Sequence, residues 1–237
     1  MKRYEAILFD LDGTLIHLPQ QRFSEGTTML MTKLLSPRLG VDPRDFLRAL
    51  TAGLNAMIGN DGGARNDEAF FSAALAGLGG DRKKVEELFN RYYENEFNTF
   101  FSLTSENIYV KTALAHARRL ADKVVLATLP VFPFSAQKTR LSWIGLTHAD
   151  FDLVTDYENC RFCKPSPAYY EEILDRYGFK GENCLMVGND VSDDVLPALS
   201  LGMQCYLVTD CLLNGDLPCE SAMRGSFEEF TKYLGSL

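Results

Sequence analysis

The sequence predicts an α/β protein, a doubly wound parallel-sheet core interrupted by an inserted all-α domain. Two observations carry that expectation. Short continuous apolar runs alternate with helical patterns through the C-terminal half, as buried parallel strands and their crossover helices do. Between the first such run and the second lie about a hundred residues without a strand-like run, far more than a single crossover needs.

The first run is Ala6-Ile7-Leu8-Phe9, which stops abruptly at the acidic, glycine-containing turn Asp10-Leu11-Asp12-Gly13-Thr14. Within the long interval, Asp42 reads as an N-cap with Pro43 at the first helical position, and Phe46, Leu50, Leu54 and Met57 recur at helical spacing. Asn66 to Leu78 and Asp81 to Phe97 give two more helices, the second with Val85, Leu88, Phe89 and Tyr92 along one side. The insert is therefore expected over 16–104, leaving 1–15 and 105–237 for the core. Four further apolar runs complete the sheet: Val124 to Ala127, Phe151 to Val154, Cys184 to Val187 and Cys205 to Val208.

Composition narrows the function classes. The 237 residues are 46% hydrophobic and 24% charged, with a formal net charge of -8, which offers no electrostatic attraction to nucleic acid or anionic membranes. The uncharged stretch near Val124 to Gln137 carries Pro130 and Pro133 and falls short of the ~20 apolar residues a spanning helix needs. Asp10 and Asp12 break the N-terminal apolar stretch too early for an export signal, so a cytoplasmic protein is expected. In that setting the six cysteines read as reduced thiols. Cys160 and Cys163 form a CxxC, but Cys211 and Cys219 sit at irregular spacing, unlike the paired ligands of structural zinc.

Ligands of doubly wound sheets bind outside the carboxyl ends of the strands, so the residues just after each run belong together. These are Asp10 and Asp12 after the first, Thr128 after the second, Lys164-Pro165 beyond the third, and Gly188-Asn189-Asp190 with Asp193 and Asp194 after the fourth. Alone, each has a plain reading as a turn, a strand end or a surface lysine; their coincidence at successive strand ends argues otherwise. Converging carboxylates repel unless a hard cation neutralises them, and Mg²⁺, which takes one or two protein carboxylates plus water and phosphate oxygens, suits the set. Asp10, the Asp12 carbonyl and Asp190 would then hold the metal. The ion would let the Asp10 carboxylate approach an anionic phosphoryl group as a nucleophile. Asp12 is set for proton transfer, Gly13 allows the sharp turn, and Thr128 and Lys164 offer a hydroxyl and a compact positive charge to phosphate.

Asp10-Leu11-Asp12-Gly13-Thr14-Leu15, Thr128, Lys164-Pro165 and Gly188-Asn189-Asp190-Val191-Ser192-Asp193-Asp194 together resemble the four motifs of the haloacid dehalogenase (HAD) superfamily, in order and across nearly the whole core. The resemblance implies a Rossmann-like core, a helical cap inserted after the first motif, Mg²⁺ as cofactor and an aspartyl-phosphate intermediate. By position it implies Asp10 as nucleophile, Asp12 as acid/base, and Gly13, Thr14, Thr128, Leu129 and Lys164 as the phosphate-binding set. Asp10, Asp12 and Asp190 become the metal group, with Asn189 and Asp194 as further candidates. Asn189 stands where many relatives carry an acid, and Leu129 where a small or polar residue is frequent, leaving its backbone N–H as the phosphate contact. Asp194 is expected to hold Lys164 or a metal-bound water.

Asp12 separates the alternatives, because relatives that displace halide lack it. The sequence therefore predicts a phosphatase acting on a small phosphorylated metabolite. A phosphomutase using the same residues and a non-catalytic phospho-ligand-binding relative are the alternatives. A receiver domain would have about half this length and no insert. The segments His17, Gln20, Gln21, Arg22 and Gly59 to Arg65 read first as linker and surface turn, second as substrate contacts. Oligomeric state is not encoded in any of these features.

Overall fold

The protein, as a computed structural model, is described over residues 2–237. Strand β1 (Tyr4–Phe9) leads into four helices, α1 (Gln20–Leu39), α2 (Pro43–Ile58), α3 (Asn66–Leu78) and α4 (Arg82–Glu94), followed by a 3₁₀ segment, Glu96–Leu103. The chain then returns through α5 (Val110–Leu120) to β2 (Ala121–Leu126), and continues with α6 (Phe134–Trp143), β3 (Leu153–Val154), α7 (Pro167–Asp175) and β4 (Cys184–Gly188). A wide turn over Val191–Val195, α8 (Leu196–Ser200), β5 (Gln204–Val208), β6 (Met223–Gly225) and α9 (Phe227–Ser236) complete it. The outgoing and returning segments run side by side, joined by a hydrogen bond from Ser105 N to His17 O (2.9 Å).

The sheet is six-stranded and parallel throughout, in the order β3-β2-β1-β4-β5-β6. Strand alternation divides the core in two. Ile7 and Phe9 of β1 face one side with residues of α5, α6 and α9, while Ala6 and Leu8 face the other with residues of α7 and α8. Both faces being buried, the strands read as unbroken apolar runs, which is why they were visible in sequence.

The chain reverses direction across the sheet between β1 and β4, the switch point where such sheets open a crevice. Register brings the strand ends level: Phe9 pairs with both Leu126 and Val187. Asp10 N then bonds Val187 O (2.9 Å) and Ala127 N bonds Phe9 O (2.7 Å), so the segments after β1, β2 and β4 leave the sheet together.

Helix and strand limits differ from expectation at four places. Helix α1 carried no signal: its N-cap, Pro19, makes no side-chain cap bond, Pro37 lies inside it, and its buried stripe of Phe23, Thr27, Met31 and Leu35 includes a threonine. The helix expected over Asp81 to Phe97 ends at Glu94 and passes into the 3₁₀ segment. The run Phe151 to Val154 is strand only at Leu153–Val154. Strand β6 is three residues at the sheet edge, half-exposed and too short to show a pattern.

Candidate active site

The level strand ends open onto a cavity of about 330 Å³ beneath the helical insert. Asp10, Asp12, Thr128, Leu129, Lys164, Asn189, Asp190 and Asp194 all line it. Gly13 and Thr14 do not. Thr14 is fully buried behind the floor, where its hydroxyl donates to Asn189 Oδ1 (3.0 Å) and lies 3.4 Å from Asp10 Oδ2. Gly13 has a φ of 93°, and a β-carbon there would come within 2.4 Å of Asn189 Nδ2 and 2.6 Å of Gln20 Nε2. Glycine is thus required twice over, by backbone and by space.

Lys164 anchors the floor. Its ammonium is buried and donates to Asp10 Oδ1 (2.8 Å) and Asp194 Oδ1 (2.6 Å). Burial works against the charge, but Asp10 and Asp194 outweigh it and raise the lysine's pKa. Asp194 in turn is fixed by the N–H groups of Asn189 and Asp190, each 3.0 Å from its Oδ2. Glycine at 188 leaves the space this carboxylate occupies, since a β-carbon there would lie 2.2 Å from that oxygen. Asp190 caps the wide turn through Oδ1, accepting from Ser192 N (2.8 Å), Asp193 N (3.2 Å) and Asn214 Nδ2 (2.7 Å).

Asp12 has a partner that sequence reasoning missed. Arg140, on α6, has no exposed surface; it donates through one terminal nitrogen to Asp12 Oδ2 and through the other to Gln137 Oε1, and its guanidinium lies 4.5 Å from the centre of the Phe132 ring. Burial raises the Asp12 pKa, Arg140 opposes it, and Asp10 adds to it. The only signal for Arg140 was helical periodicity, which puts it on the same face of α6 as Ala136 and Gln137, both buried.

Of the linker residues, Gln20 reaches the cavity, with its Nε2 donating to the Asp12 carbonyl, whereas His17 and Gln21 face a separate depression. The Gly59 to Arg65 loop lies off the cavity; Gly62 packs against Phe162, and Asn66 behind it donates to Pro130 O and Phe162 O (both 3.3 Å). The thiols of Cys160 and Cys163 are buried, and burial pushes Cys163 up to about 12.

Among the described residues, no three His, Cys, Asp or Glu side chains stand close enough to hold a metal by themselves. The hard-oxygen donors here are Asp10 and Asp190, with the Asn189 amide and the Asp12 carbonyl beside them. Asp12 Oδ1 is buried and has no hydrogen-bond partner. That donor chemistry fits a small divalent cation which keeps several waters and takes only one or two carboxylates.

The fold and this floor together define a hydrolase class. The chain belongs to the haloacid dehalogenase-like hydrolase family, whose model matches residues 4–202. A phosphoglycolate phosphatase of Photorhabdus laumondii is 28% identical over 209 residues, 88% of this chain and 82% of that protein. A glyceraldehyde 3-phosphate phosphatase of Methanothermobacter thermautotrophicus is 36% identical over a shorter stretch of 80 residues, 34% of this chain and 35% of that one. Among solved structures, a HAD phosphatase from Thermococcus onnurineus superposes with a TM-score of 0.58 at 23% identity, covering 98% of each chain.

Proposed function

We propose that the protein is a Mg²⁺-dependent phosphatase that hydrolyses a small phosphorylated metabolite through an aspartyl-phosphate on Asp10. The observation that carries the reading is the meeting of the Asp10 carboxylate, the Lys164 ammonium and the Asp12 carboxylate in one cavity at the switch point of the sheet. In this reading 16–104 is a cap, 1–15 with 105–237 the catalytic core, and the setting cytoplasmic. Among the described residues no helix is long and apolar enough to cross a membrane.

Asp10, Asp190 and the Asp12 carbonyl would hold Mg²⁺, with Asn189 adjacent; when bound, the ion supplies charge that offsets repulsion between carboxylate and phosphate. An Asp10 oxygen attacks phosphorus, the bond to the alcohol oxygen breaks, and the leaving electron pair takes a proton from Asp12. Water then attacks the same phosphorus while Asp12 accepts its proton, and the bond to Asp10 breaks to return the carboxylate and release phosphate. Lys164 offsets charge on the phosphoryl oxygens and the Thr128 hydroxyl donates a hydrogen bond to one of them, with Leu129 N–H beside them. Thr14 and Gly13 act from behind, by holding Asp10 and Asn189 in register.

The test is phosphate release from p-nitrophenyl phosphate with Mg²⁺. Wild type should turn over, and Asp10→Asn and Asp12→Asn should each abolish it; full activity in Asp10→Asn would overturn the assignment of the nucleophile.

A further inference from the structure

The floor of the cavity is charged, but its walls and roof are not. From the insert, Phe23, Met31, Leu50, Leu54, Met57 and Phe70 face the space above the carboxylates, and no lysine, arginine or histidine of the insert lines it. The cavity's cations are Lys164 and Arg140, both from the core and both already paired with carboxylates. A second void of about 50 Å³ lies beyond Met31, Leu50, Met57 and Phe70, walled otherwise by Phe89, Tyr93, Val131, Pro133 and Tyr157. An apolar void of that kind stays dry and accepts hydrocarbon. The polar side chains that the insert adds to the main cavity, Gln20, Ser24, Thr27, Thr28 and Tyr93, are all uncharged, so no cation on these walls offsets a carboxylate or a second phosphate brought out of water. Among these, Thr27 is the one whose side-chain oxygen is both buried and without a hydrogen-bond partner.

Resting on the phosphatase reading, we infer that the alcohol released is uncharged and largely apolar, an aryl or short alkyl group with at most a lone hydroxyl or carbonyl facing Thr27. The group enters past Leu54 and Ile58, 38% and 46% exposed at the mouth, and its far end points to the dry void. This separates the chain from its relatives named for phosphoglycolate and glyceraldehyde 3-phosphate, whose small polar leaving groups would meet aliphatic and aromatic carbon here.

The specificity determinant is thus the α1–α2 wall, and Leu54 is where it can be altered without burying a charge. With Mg²⁺ present, kcat/KM should be at least a hundredfold higher for 1-naphthyl phosphate than for phosphoglycolate or glyceraldehyde 3-phosphate. Leu54→Arg should lower the naphthyl value about tenfold and raise the phosphoglycolate value by a similar factor. In parallel, calorimetry on wild type should show hexylphosphonate binding at least tenfold more tightly than phosphonoacetate. If phosphoglycolate is the better substrate, or phosphonoacetate binds as tightly, the inference falls and the phosphatase reading stands. If no ester is hydrolysed but hexylphosphonate is preferred, the apolar wall stands and the phosphatase reading falls.

Discussion

Arg140 reaches from α6 to the carboxylate of Asp12, a residue 128 positions earlier in the chain, and the two meet with little access to water: the side chain of Arg140 is 0% exposed and that of Asp12 20%. Arg140 Nε and Asp12 Oδ1 have no hydrogen-bond partner, so the pair compensates its buried charge mainly through one another and through Gln137. Removing one member of such a pair typically costs 3–5 kcal/mol, because the charge left behind is stranded. Asp12 borders the cavity and can take up a proton, which puts the expected loss for Arg140→Met near the lower end, about 3 kcal/mol. Asp12→Asn strands a fully buried guanidinium and should cost at least as much. The double variant should be more stable than the sum of the single losses predicts, by ~1 kcal/mol or more, when urea unfolding is compared at pH 7. Additive losses would mean that the two charges do not support each other.

That pair also marks the limit of what the sequence makes legible. Asp10, Asp12, Thr128, Lys164 and Asp190 could be grouped beforehand because each follows an apolar run, and strands that pair in register bring their ends together. Arg140 follows no run; it sits in mid-helix, and only the packing of α6 against the floor turns it inward. Helix α1 was silent for a related reason, since its inward face mixes Thr27 and Ser36 with Phe23, Met31 and Leu35. The cavity wall therefore rests partly on an element that no local pattern announced.

Gly53, in the middle of α2, is a position where helix propensity and packing disagree. Alanine in an exposed helix interior would be favoured over glycine by about 1 kcal/mol. Here the added carbon would meet Phe70 Cδ2 at 2.4 Å and Cε2 at 2.5 Å. Phe70 is itself held by edge contacts to Phe71 and Phe89, with ring centres 5.1 and 6.1 Å away, and it can yield only by giving up those contacts and moving into the cavity it borders. Overpacking of this kind costs roughly 1–3 kcal/mol and outweighs the propensity gain. Gly53→Ala is expected to lower Tm by about 2–4 °C, since ~1 kcal/mol shifts a domain of this size by that much. A higher Tm would show that the aromatic wall is looser than its contacts imply.

Asp156, just after β3, gives the fold a pH dependence apart from the cavity floor. It is 3% exposed, and accepts from Glu158 N and Asn159 Nδ2 at 2.8 Å each. Burial and the neighbouring Glu158 carboxylate push its pKa up to about 7 from an ordinary 3.8. An acid raised in this way keeps its proton in the folded protein after the unfolded chain has lost it. The stability it contributes is complete below about pH 4 and is lost as pH rises through about 7. Asp156→Asn removes that titration while keeping an acceptor for Glu158 N. Relative to wild type, the variant should therefore gain stability between pH 5 and pH 8, on the order of 1–2 kcal/mol by urea unfolding. A difference between the two proteins that stays constant across that range would mean Asp156 carries its charge at little cost in the folded state, and that the peptide N–H groups around it, rather than burial, set its proton affinity.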